Sequence, residues 1–159
     1  MKSFNIKRTD HSDLEFEGKL LGRVNTPHHA TPDGSRGYEL AIYAKSGGGY
    51  VASMEYLTTV PPEVPVASAD FVERAKDVEN FFLVVEPCEF LSQDLLRQMP
   101  DDQRQRLQKA LCQIYDGHLD IILKTVQEYA SRHPEHDIDE ASEKESRPKS
   151  RLLGLFGLE

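Results

Sequence analysis

Residues 37–59, GYELAIYAKSGGGYVASMEYLTT, decide the fold. Tyr38, Leu40, Ile42 and Ala44 alternate with Glu39, Ala41, Tyr43 and Lys45, the period of a β-strand. Lys45-Ser46-Gly47-Gly48-Gly49 then reverses the chain, because glycine supplies the positive φ angles of a tight turn. Tyr50–Thr59 returns as a second strand rich in aromatic and β-branched residues. Pro61, Pro62 and Pro65 end it, since proline has no N–H for a ladder.

Working outward toward the N-terminus, Phe4 and Ile6 alternate with polar neighbours, and Asp10–Asp13 reads as a turn. In Leu14–Val24 the apolar Leu14, Phe16, Leu20 and Val24 share one face, and Glu15, Glu17, Lys19 and Arg23 the other. Gly18 and Gly22 fall on the apolar face, where they mark a bulge or the close approach of a helix. The polar run NTPHHATPDGSRG leaves the sheet. These strands predict one antiparallel sheet of three or four strands.

Helices fill the second half. Ser68 and Asp70 are read as caps of a short helix through Phe71, Val72 and Ala75. Asp77 caps another through Phe81, Phe82 and Val85, although FFLVV also suits a buried strand. Ser92 opens SQDLLRQM, and Pro100 with Asp101 and Asp102 suits a helix start. From Asp102 to about Arg132, an apolar stripe of Leu107, Leu111, Ile114, His118, Ile121, Ile122 and Val126 predicts a long helix facing the sheet. Gly117, which costs about 1 kcal/mol against Ala in a helix, marks a kink or divides a helix pair. The expected class is therefore α+β, with one domain over residues 1–132. A disordered polar linker over 133–150 and an apolar motif over 151–159, RLLGLFGLE, are expected to follow.

Composition narrows the function. The 159 residues carry 19 basic and 27 acidic side chains, a formal charge of −8. That sign argues against direct nucleic-acid binding, which needs clustered Lys and Arg. MKSFNIKRTD has no apolar signal region, and no run suits a membrane span, so the expected location is cytoplasmic. Cys88 and Cys112 are too few for a disulfide framework and are expected to behave as small buried hydrophobes.

No set of residues forms a catalytic pattern, and neither a cofactor nor a metal is expected. Gly47–Gly49 joins strand to strand, whereas a phosphate cradle needs strand to helix. His28 and His29 lack further ligands, and His133 and His136 read as part of the polar linker. His118 is expected to be hydrogen-bonded in or at the edge of the core rather than to act as a general base. Glu15 and Glu17 share a strand face as exposed residues do.

The strand containing Phe16, Gly18, Leu20 and Leu21, followed by the Gly-rich hairpin Tyr43–Tyr50, resembles the EXLDI-motif proteins, a bacterial family. Leu119-Asp120-Ile121 echoes the naming motif, with Gly117 where the family has Glu. The resemblance implies a bacterial source, with a mobile element as one setting, and carries no catalytic residue. At the other end, Leu-Leu-Gly-Leu-Phe resembles the pentapeptide by which bacterial proteins hold the replication sliding clamp, with Leu152 in place of the usual Gln. The leading expectation is a non-enzymatic interaction or regulatory protein whose Leu152, Leu153, Leu155 and Phe156 dock in a protein partner's groove. The rivals are an acidic inhibitor or immunity-type protein that binds a basic enzyme, and a small-ligand binder or enzyme with a pocket between sheet and helices.

Overall fold

The structure, a computed structural model, describes residues 1–27 and 34–138. Five strands, β1 (Lys2–Ile6), β2 (Leu14–Asn25), β3 (Arg36–Lys45), β4 (Tyr50–Thr58) and β5 (Val66–Val72), form one antiparallel meander in chain order. Helices α1 (Val78–Leu83), α2 (Gln93–Gln98) and α3 (Asp101–Arg132) follow. The α+β class is as expected, but the sheet has five strands where three or four were predicted.

The added strand is β5. Ser68 and Asp70 do not cap a helix; Val66–Val72 pairs along β4 from Tyr56↔Val66 to Tyr50↔Val72. The Pro-rich turn, which includes a cis Pro61–Pro62 bond, interrupts the sheet and returns the chain to it. The ladder satisfies the backbone groups on the free side of β4, a gain that no local helix signal anticipates. Asp70 instead accepts a hydrogen bond from the N–H of Phe71 at 2.8 Å.

Phe81 and Phe82 lie on a helix, not a strand, and Tyr115 donates its hydroxyl to the Phe82 carbonyl at 2.7 Å. Asp77 stands at the cap position of α1 without a capping bond, because its carboxylate pairs with Arg74 at 3.0 Å. Ser92 does cap α2, accepting from the Leu95 N–H at 3.3 Å.

A bulge governs the sheet's two faces. Leu20 pairs with Tyr43 and Gly22 with Ile42, leaving Leu21 as the extra residue. One inserted residue turns every later side chain to the opposite face. Leu14 and Phe16 therefore join one core, with Ala41, Tyr43, Val51 and Ala69. Leu21 and Val24 pack into the other, larger core beneath the helices. Leu20 is left 36% exposed. The single apolar face read for Leu14–Val24 is thus divided between two cores.

The sheet also curls. Phe4 of β1 reaches Tyr43 of β3, with ring centroids 4.8 Å apart. Beyond β1, the Thr9 N–H donates to the Ala67 carbonyl of β5 at 2.9 Å, and Thr9 Oγ1 accepts from the Ala67 N–H at 2.6 Å. The first and last strands are joined through this loop, which covers part of an otherwise open edge.

Helix α3 is continuous for 32 residues, about 48 Å. Gly117 does not divide it. Leu107, Leu111, Tyr115, His118, Leu119, Ile122 and Val126 are the buried residues. Ile114 is only partly buried and Ile121 is 52% exposed, so the true stripe runs through Tyr115 and Leu119 instead. Gly22 lets the helix approach, since a Cβ there would stand 3.0 Å from Thr125 Cγ2.

The folded unit continues past residue 132. A 3₁₀ turn at Pro134–His136 lays the chain over the glycine turn. The Gly49 N–H donates to the His136 carbonyl at 2.8 Å, and the Ile138 N–H to the Glu73 carbonyl at 3.0 Å. Asp137 accepts from the Ala75 N–H at 3.0 Å. The His136 ring sits edge-on between Tyr50 and Tyr129. Residues 133–138 are packed structure where a polar linker was expected, because aromatic faces and free backbone groups outweigh their polar composition.

Candidate functional site

The inner face of the curled sheet is filled by aromatic rings at one end and opens at the other into a polar cleft of about 290 Å³. Strand pairing builds its floor. Glu39 of β3 lies directly opposite Glu55 of β4, in register with Ala41↔Ser53 and Tyr43↔Val51. Two carboxylates at opposed positions repel. Burial raises the Glu55 pKa above its ordinary value and Glu39 raises it further, while Lys7 opposes both.

Arg23 supplies the counter-charge. The bulge aims it into this face, where its Nε lies 3.4 Å from Glu39 and its Nη2 donates to the Tyr43 hydroxyl at 3.4 Å. The Tyr43 bond, and then the charge of Glu39, hold the guanidinium more firmly protonated. A guanidinium, two carboxylates, a phenol and the Ser53 hydroxyl thus converge on one cleft. They offer recognition of a polar or cationic group.

A second cleft, of about 340 Å³, lies between β5, α1 and the loop after β1. Phe81, Val85 and Phe90 form its apolar wall, and Arg8, Asp70 and Glu89 supply mixed charge. Leu83 and Val84 on the same helical turn are 60% and 85% exposed.

The sequence candidates fall as follows. His118 is 9% exposed, with Nε2 2.8 Å from Thr26 Oγ1. Thr26 Oγ1 in turn accepts from the Tyr38 N–H at 2.9 Å. Burial lowers the histidine pKa, and the ring ties α3 to the start of the β2–β3 loop, hydrogen-bonded at the edge of the core as expected. Gly47, Gly48 and Gly49 all have positive φ and form the hairpin turn. Glu15 and Glu17 are exposed. Leu119 of the EXLDI-like echo is a core residue and Asp120 an exposed one on an unbroken helix. Leu152, Leu153, Leu155 and Phe156, with His28 and His29, lie outside the described residues.

Glu39 and Glu55 were missed, although the signal existed. A hairpin centred on Gly47 pairs residues whose numbers sum to 94, which sets 39 opposite 55. Arg23 had no such signal, because its facing depends on the bulge.

No protein-family model matches the chain, and comparison with curated proteins and with solved structures likewise yields no match.

Proposed function

We propose that this chain is a non-enzymatic interaction or regulatory protein that presents Leu152, Leu153, Leu155 and Phe156 to a protein partner. The observation that supports the reading is where the described fold ends. The larger core is closed among the described residues, with Tyr38, Tyr50, Tyr56, Leu111, Ile122 and Val126 at 0% exposure, and Ile138 is fastened to Glu73. Twelve further residues, DEASEKESRPKS, separate Ile138 from Arg151 and contain no large apolar side chain. In the sequence the apolar cluster follows this polar stretch, and burying its Leu and Phe side chains in a groove contributes about 1.5–3 kcal/mol each before ordering costs. One candidate partner is the bacterial sliding clamp.

The test compares the intact chain, residues 1–138, and the Leu155→Ala, Phe156→Ala double variant. Capture is measured with purified clamp and with a bacterial lysate. Under this reading both altered chains lose the captured protein and melt at the wild-type temperature. A lowered melting temperature in the double variant, or undiminished capture, would show that the segment serves the fold or nothing. Failure with clamp alone removes only that partner.

A second reading, a small-ligand-binding domain, is favoured by the opposed Glu39 and Glu55. A small cationic ligand in that cleft would relieve their repulsion. Thermal shifts with guanidinium- and amine-bearing compounds, repeated on Glu55→Gln, test it; equal shifts in both proteins would remove it.

A further inference from the structure

Cys88 and Cys112 are 24 positions apart in sequence, yet their Sγ atoms lie 4.0 Å apart. Glu86 places a carboxylate oxygen beside them, and all three donor atoms lie within 4.8 Å of one another. The two sulfurs are carried on rigid backbone. Cys112 sits in the middle of α3. Cys88 occupies a turn tied by the Glu89 N–H to the Glu86 carbonyl at 3.0 Å and by the Leu91 N–H to the Cys88 carbonyl at 3.3 Å. The Cys88 thiol also points at the Gln108 carbonyl, 3.6 Å away, one helical turn before Cys112.

The spacing of the sulfurs suits joint ligation of one metal ion. Two thiolates on one tetrahedral zinc, each at ~2.3 Å from the metal, stand ~3.8 Å apart. The sulfurs are thus within ~0.2 Å of the separation that one zinc requires, and a carboxylate oxygen of Glu86 lies within 4.8 Å of both. Glu86 is exposed and both cysteines are half-buried, so an ion has an entry path and room for a water in the fourth position. The neighbouring Glu89 and the chain's formal charge of −8 favour a cation over an anion.

We infer that Cys88, Cys112 and Glu86 form a binding site for a thiophilic divalent cation of the zinc class, with water as fourth ligand. The site is separate from the Glu39–Glu55 cleft and independent of the C-terminal segment. Binding replaces the thiol proton of each cysteine with a metal–sulfur bond, and the protons leave to solvent. Thiols are protonated at neutral pH, so the metal must displace their protons and affinity rises with pH.

The probe is Co²⁺, titrated anaerobically into the reduced full chain, with Zn²⁺ as competitor. The expected result is a 1:1 thiolate-to-cobalt charge-transfer band with visible bands of tetrahedral intensity, all displaced by Zn²⁺. Cys88→Ser and Cys112→Ser should each abolish the two-thiolate spectrum, and Glu86→Gln should keep the bands while weakening affinity at least tenfold. If a Ser variant fails to fold, protection of two thiols in the wild type by one equivalent of Zn²⁺ gives the same reading. Absence of a 1:1 band, its persistence in either folded Ser variant, or an affinity that does not rise with pH overturns the site. So does ready disulfide formation without any metal affinity.

Discussion

Arg36 and Glu63 form a buried bidentate ion pair, with Nε and Nη2 of the arginine 3.0 and 2.7 Å from the two carboxylate oxygens. Their side chains are 3% and 1% exposed. Glu63 also accepts from the Tyr56 hydroxyl at 2.7 Å, the Thr58 hydroxyl at 3.0 Å and the Ser92 N–H at 3.1 Å. One carboxylate on the Pro-rich turn thus ties β3, β4 and the start of α2 together.

Glu63→Gln should destabilise the protein by about 3–5 kcal/mol at pH 7, since it breaks a buried ion pair by removing one of its two charges. Burial alone would raise the Glu63 pKa, but the bonds from Arg36, Tyr56 and Ser92 overcome it and lower the value to about 2. The folded value lies below the unfolded one, near 4.3, so the ionised group stabilises the fold at pH above ~4.3. That contribution falls away as pH drops toward 2. Urea melts of wild type and Glu63→Gln at pH 7 and pH 3 should show the gap between them narrowing in acid.

Along α3, Ile122→Ala should cost about 2–5 kcal/mol, as for other fully buried aliphatic residues. Ile121→Ala should cost less than about 1 kcal/mol, as expected of an exposed position. Ile114, half-buried, should fall between them. Equal losses at 121 and 122 in denaturant melts would contradict the packing of this helix.

Two glycines should respond in opposite directions. A Cβ at Gly18 would stand 2.3 Å from the Ala44 carbonyl oxygen, while one at Gly117 meets nothing within 4 Å. Gly18→Ala should therefore cost about 1–3 kcal/mol through forced backbone shifts. Gly117→Ala should stabilise by up to about 1 kcal/mol through helix propensity.

Truncation after Ile138 should leave the melting temperature unchanged, whereas truncation after Arg132 should lower it. The shorter chain loses the His136 ring from between Tyr50 and Tyr129, and leaves the Gly49 and Ala75 N–H groups without the partners they have here. Differential scanning calorimetry of the two chains distinguishes them. An equal melting temperature for both would mean that residues 133–138 contribute no stability.

The sequence alone determined the β3–β4 hairpin, the cap at Ser92, the helical run that became α3 and the place of His118 at the edge of the core. In each case the signal is local: a period, a turn residue or a cap written within a few positions. The hairpin register about Gly47 likewise sets Glu39 opposite Glu55. Tertiary structure decided the rest. Val66–Val72 became a strand because β4 had a free edge, and Arg23 reached Glu39 because Leu21 bulges out and turns the strand. His136–Ile138 joined the fold because Gly48 and Gly49 leave room that a Cβ would fill, with Ile138 Cγ1 or Cδ1 3.3 Å from each such position. Cys88 met Cys112 because a turn and a helix far apart in sequence pack side by side. Contacts of this kind depend on where distant segments arrive in space, which side-chain periodicity does not encode.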